Sequence, residues 1–117
     1  MIKKTIAIVT LFVTLAAGIG TPIAASAASG SYGRLYGHAQ TTWTWNAGAG
    51  IRTVVVEGDG DTDLDLYVYN SQGVLLGRDT DYTDLCVVSW FQAEGGTVRI
   101  VIKNRGSVYN DYVLTVE

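Results

Sequence analysis

Seven aspartates, Asp59, Asp61, Asp63, Asp65, Asp79, Asp81 and Asp84, fall within 26 residues of one another. Carboxylates at that density have two chemistries open to them. They can hold a hard cation such as Ca²⁺, which takes about 6 to 8 oxygen ligands, or two of them can act as acid and base in glycoside hydrolysis. The segment is not an EF-hand loop: counted from Asp59, the sixth and twelfth positions are Leu64 and Asn70, and counted from Asp61 they are Leu66 and Gln72, where Gly and Glu are required. A single Gly-Asp-Gly-Asp run makes no repeat array. The chain has one histidine, His38, no second histidine or cysteine for zinc, and no Gly-x-Ser-x-Gly. His38 reads as a loop or strand-end residue, and a small domain lacks room for a cleft that excludes water, so no enzyme is expected.

The element that must position the acids is written around them. In Asp63-Leu-Asp-Leu-Tyr-Val-Tyr69, Leu64, Leu66 and Val68 alternate with Asp63, Asp65, Tyr67 and Tyr69. That is the period of a half-buried strand with one apolar face and one face of carboxylates and phenols. The Asn70 to Gly73 cluster predicts a turn and Val74 to Arg78 a returning strand. Two registers are open. If Asn70 faces Gly73 across a two-residue turn, Asp65 faces Arg78 and Asp63 faces Thr80; with a three-residue loop, Asp65 faces Asp79 and Asp63 faces Asp81. Opposed like charges destabilise a strand pair, so the second register favours a Ca²⁺ held by Asp61, Asp63, Asp79 and Asp81. The competing reading keeps these acids solvated, as turn caps and guards of a strand edge. Tyr67 and Tyr69 are the candidate binding residues, since exposed tyrosines give a rigid amphipathic contact surface. Against this, a second layer or the stems of Arg78 and Arg105 would cover them.

No window sustains a helical period, while β-branched and aromatic runs recur between Gly and Asp clusters at strand spacing. Strands are predicted at Arg34 to His38, Thr41 to Trp45, Arg52 to Glu57, Asp63 to Asn70, Val74 to Arg78, Leu85 to Phe91, Thr97 to Lys103 and Tyr109 to Val116. The fold class is therefore all-β, an antiparallel β-sandwich. Trp43 and Trp45 share one strand face and read as core, with an exposed ligand-binding pair as the alternative. Thr53-Val-Val-Val-Glu57 does not say which valines point inward. Cys86 is the only cysteine, so no intramolecular disulfide forms, and its place beside Val88 and Trp90 makes it a small core hydrophobe.

Lys3 and Lys4 precede an apolar run from Ile6 to Ile19 and the small-residue series Ala24-Ala-Ser-Ala-Ala28, the pattern of a secretory signal peptide rather than a membrane anchor. The expected organisation is a signal peptide at 1–27, a short linker at 28–33 and one domain at 34–117. Removing the leader leaves six basic residues against eleven acidic ones, a net charge of −5. That balance argues against nucleic acid or anionic lipid as partner.

Four blocks in order resemble the bacterial pre-peptidase C-terminal domain, a small β-sandwich often appended to secreted proteases and related to collagenase collagen-binding domains. They are Thr42-Trp-Thr-Trp-Asn-Ala-Gly-Ala-Gly50, Asp63-Leu-Asp-Leu-Tyr-Val-Tyr69, the Asp79-Thr-Asp81 pair and Tyr112-Val-Leu-Thr-Val116. The resemblance implies an eight-stranded, jelly-roll-like sandwich with a non-catalytic role in binding, targeting or secretion. It implies that an extended protein ligand can lie on surface aromatics of one sheet face, here Tyr67 and Tyr69, and some collagen-binding relatives use calcium. This chain departs from the family in carrying no protease domain beside it. The expected function is a secreted binding module for an extracellular protein or polysaccharide. A partner or inhibitor of a secreted hydrolase such as a protease, acting in trans, and a structural envelope protein are the other classes.

Overall fold

The computed structural model describes residues 29–117; the expected leader at 1–27 lies outside them. Within the described residues eight strands form two four-stranded antiparallel sheets. Their ranges are β1 Ser29–Leu35, β2 Gln40–Ala47, β3 Gly50–Glu57, β4 Leu64–Tyr69, β5 Leu75–Asp79, β6 Leu85–Gln92, β7 Gly96–Asn104 and β8 Asn110–Val116. One sheet has the order β1-β8-β3-β6 and the other β2-β7-β4-β5. The all-β sandwich expected from the alternation is what forms, and seven of the eight strands lie where the sequence places them to within two residues.

The exception is β1. It starts at Ser29, so residues expected as linker pair with β8 instead, from Ser29 opposite Val116 to Leu35 opposite Asn110. The segment carries no apolar alternation because its inward position opposite Tyr112 is Gly33, and the Tyr112 ring fills the space a side chain there would need. His38, placed in sequence at the end of this strand, sits beyond it in a turn with φ of 61° and donates its N–H to Gly106 O at 2.9 Å.

Between the sheets lie Leu64, Leu66 and Val68 from β4, Ile100 and Ile102 from β7, and Val54, Val56 and Cys86 from β3 and β6, all fully buried. Of the three consecutive valines, Val54 and Val56 point inward and Val55 outward. Trp43 and Trp45 pack on this core as partly buried residues. Trp45 meets Trp90 edge to face with ring centroids 6.3 Å apart, an arrangement worth about 1 kcal/mol beyond area burial. Trp43 Nε1 donates to the Tyr112 hydroxyl at 2.9 Å. The Cys86 thiol is buried and donates to Leu64 O at 3.2 Å. Burial, with the neighbouring aspartates, pushes its pKa up to about 12, so it stays protonated and inert.

The β4–β5 hairpin takes neither of the two expected registers. Asn70 Oδ1 accepts from the Gln72 and Val74 N–H groups, Gly73 adopts φ of 84°, and Tyr69 pairs with Leu75 as a three-residue loop requires. A bulge then shifts the ladder, so that Val68 pairs with Gly77, Tyr67 with Arg78 and Leu66 with Asp79. Neither Arg78 nor Asp79 faces Asp65. One extra residue in the returning strand turned every later side chain to the opposite face.

Candidate functional site

The sheet β2-β7-β4-β5 turns its second face to solvent, and registry lays out what stands there. Across the strands run Gln40, Lys103 and Asp65; then Thr42, Val101, Tyr67 and Arg78; then Thr44, Arg99, Tyr69 and Leu75. Tyr67 and Tyr69 share this face as the alternation requires, and both are half-buried. Basic side chains do the covering. The Arg99 guanidinium lies 4.6 Å from the Tyr69 ring centroid and Lys103 Nζ 4.9 Å from that of Tyr67. Each contact favours a fixed cation by about 0.5–1 kcal/mol at an exposed site. Arg78 flanks Tyr67 from β5. Arg105 lies past the end of β7, where its Nη1 reaches Asp65 Oδ2 at 3.3 Å. The sequence puts the stems of Arg78 and Arg105 forward as cover; the cations that lie over the rings are Arg99 and Lys103.

Asp65 is 4% exposed, the most buried carboxylate on this side. A shallow cleft of about 370 Å³ opens beside it between Arg78, Arg105 and Tyr82. Among the described residues, no three His, Cys, Asp or Glu side chains converge as metal ligands. Of the four acids expected to hold a cation, Asp79 and Asp81 accept hydrogen bonds from the backbone. Asp79 Oδ2 accepts the Val87 N–H at 2.9 Å, tying β5 to β6 across the sandwich. Asp81 Oδ1 accepts both the N–H and the hydroxyl of Thr83 at 3.0 Å. Asp61 lies on the Gly58–Thr62 connection and gives its N–H to Asp59 Oδ1. Asp63 Oδ1 is a buried atom with no hydrogen-bond partner.

Protonation follows from these positions. Burial first, then the Asp65 charge, pushes the Asp63 carboxyl above its ordinary range. Burial raises Asp65 as well, against the pull of Arg105 and Lys103. Asp111 moves the other way, held low by hydrogen bonds from the Arg34 guanidinium at 2.7 and 3.0 Å. The raised groups contribute stability below the unfolded aspartate value of about 4 and lose it as pH rises through their folded values; Asp111 contributes above about 4 and is lost as pH falls through its low folded value. Denaturant melts should therefore show stability rising as pH drops from neutral toward about 4, then falling below it. Asp63→Asn should be more stable than the parent at neutral pH and flatten that rise; an unchanged pH profile would remove Asp63 from this account.

No family model and no curated protein matches the chain by sequence. Its backbone does have solved counterparts. The pre-peptidase C-terminal domain of collagenase from Bacillus anthracis superposes with a TM-score of 0.63 at 16% identity, over 76% of this chain and 88% of that one. The fold is similar to that of a pre-peptidase C-terminal domain. The Yersinia pseudotuberculosis-derived mitogen reaches the same TM-score at 17% identity, over 77% and 84% of the two chains. Aeromonas hydrophila PliG, a periplasmic lysozyme inhibitor of g-type lysozyme, gives 0.58 at 20% identity, over 83% and 91%.

Two surfaces of this fold are unmarked in the sequence analysis. Arg99 and Lys103 could have been found, because Val98, Ile100 and Ile102 alternate with them as inward residues. The other surface is the outer side of β1-β8-β3-β6. There Ile51 and Phe91 are paired neighbours, 64% and 69% exposed, with Leu85, Val87 and Tyr32 also exposed along the same sheet. In this chain one sheet thus presents basic side chains outside, and the other a cluster of exposed apolar ones.

Proposed function

We propose that the protein is an exported, non-catalytic binding module whose Tyr67/Tyr69 face holds an extracellular protein or polysaccharide. The observation that carries this reading is the seating of both tyrosines side by side on one open sheet face, each under a cationic side chain. Rings fixed in this way need little further ordering when a ligand arrives. The non-catalytic part rests on chemistry: the single histidine lies in a turn, and the single thiol is buried and protonated. Export rests on the leader pattern at 1–27.

Tyr67→Ala/Tyr69→Ala should weaken retention on cell-envelope or matrix material from the native culture by about tenfold, the loss expected when two contact rings go. Tyr67→Phe/Tyr69→Phe keeps both rings and should keep both the fold and most of the retention. Retention unchanged in the alanine pair, with a cooperative melt still present, would sink the proposal.

A second reading has its own observation. The PliG likeness and the apolar outer face of the other sheet both suit a hydrolase as protein partner. A hydrolase that co-purifies from culture fluid and is released by Ile51→Ser/Phe91→Ser, while Tyr67→Ala/Tyr69→Ala leaves it bound, would replace the first reading with this one.

A further inference from the structure

Charge on this molecule is sorted in a way its total conceals. The chain is acidic overall, yet of the six basic residues among those described, Arg78, Arg99, Lys103 and Arg105 belong to the Tyr67/Tyr69 side of the sandwich. Arg105 is paired with Asp65. Arg78, Arg99 and Lys103 form no salt bridge with any described residue. With Asp65 opposite Lys103 and Asp63 in the cleft beside Arg78, the face still holds four cations against two carboxylates, so an otherwise acidic protein attracts a polyanion there and repels it elsewhere.

What surrounds the cations narrows the anion. The neighbouring strand β2 presents Gln40, Thr42, Thr44 and Asn46, all exposed and all able to donate and accept hydrogen bonds. Val101 in the middle of the face is 6% exposed, and Leu75, at the turn end, is its exposed aliphatic residue. A protein interface needs an apolar centre ringed by polar groups. Here Val101 is buried, and what the face exposes is hydroxyls and amides beside cations and half-buried aromatic rings, which a hydroxyl-rich, carboxylate-bearing polymer complements. Arg99 and Lys103 lie four residues apart on β7, about 13 Å at strand rise, a spacing for an extended chain rather than a single small anion.

We infer that the ligand of this face is an anionic polysaccharide, a polyuronate in chemical class, and that Arg99 and Lys103 read its carboxylates while Thr42 and Thr44 meet its hydroxyls. The inference rests on the binding face proposed above and adds the chemistry of what it binds. The test is affinity electrophoresis of the protein from culture fluid through gels containing alginate, neutral dextran or polyglutamate, at low and high salt. Alginate should retard the protein at low salt and dextran should not, and high salt should abolish the effect. Arg99→Ala/Lys103→Ala, with its melting temperature within a few degrees of the parent, should lose about tenfold in alginate affinity. Equal retardation by dextran, no retardation by alginate, or full retention by the double variant would overturn the inference. Retardation by polyglutamate alone would assign the face to an acidic protein and overturn the polysaccharide class. In each of those cases the Tyr67→Ala/Tyr69→Ala experiment on native matrix still reports separately on whether this is the binding face.

Discussion

Asn110→Ala is expected to cost about 3 to 4 kcal/mol, because it leaves several buried polar groups without partners at once. Asn110 is fully buried at the start of β8. Its Oδ1 accepts the Asp59 N–H at 2.9 Å, and its Nδ2 donates to Thr62 O, Thr62 Oγ1 and Asp84 Oδ2 at 3.1 to 3.2 Å. The amide thus stands in for the sheet hydrogen bonds that the irregular Gly58–Thr62 connection cannot make for itself. That connection leads directly into Asp63, Asp65 and the strand that bears both tyrosines. In a domain of this size the loss corresponds to a fall in melting temperature of about 15 °C or more, readable by calorimetry. Asn110→Asp should be no better, since it removes the donor and sets a second charge beside Asp84. A loss below about 1 kcal/mol would mean that the connection holds its shape without the amide.

Gly33→Ala should be nearly as damaging, at about 3 kcal/mol, although glycine to alanine in an edge strand ordinarily stabilises. A Cβ at this position would overlap the Tyr112 ring at Cζ and the hydroxyl oxygen. The ring has nowhere to go: Tyr112 is 3% exposed and its hydroxyl is held by Trp43 Nε1. Tyr112→Phe alone should cost only about 1 kcal/mol, the price of an indole N–H left without an acceptor. Gly33→Ala/Tyr112→Leu should recover part of what Gly33→Ala loses, because the two changes share one contact and do not add. Strict additivity in urea melts would refute the steric account.

These two sites also show where sequence reading stopped. Alternation in Leu64, Leu66, Val68, Val98, Ile100 and Ile102 made the sandwich legible, since inward positions on central strands must be apolar. The first five residues of β1 were missed because the inward residue among them opposite Tyr112 is a glycine, Gly33, roofed by that ring from the neighbouring strand. Asn104 lies just past the strand predicted to end at Lys103 and Asn110 inside the one predicted at Tyr109 to Val116, and both are buried hubs: Asn104 Nδ2 donates to Leu35 O and Val108 O, and its Oδ1 accepts the Gly106 N–H. Nothing in their own neighbourhood of sequence marks a long-range partner. At the candidate face the tyrosines and the outward Arg99 and Lys103 are each legible from period two, but their meeting is not, because pairing between β4 and β7 joins residues thirty or more positions apart.

The bulge after Leu75 has a consequence for how such a surface changes over evolutionary time. Had the ladder continued regularly from Tyr69 opposite Leu75, Leu66 would face Arg78 and Asp65 would face Asp79, driving a guanidinium toward the hydrocarbon interior and setting two acids against each other. One residue of extra length averts both. In this hairpin, insertions and deletions therefore act as polarity switches, and a lineage can exchange the charge displayed on the face without substituting any residue that displays it.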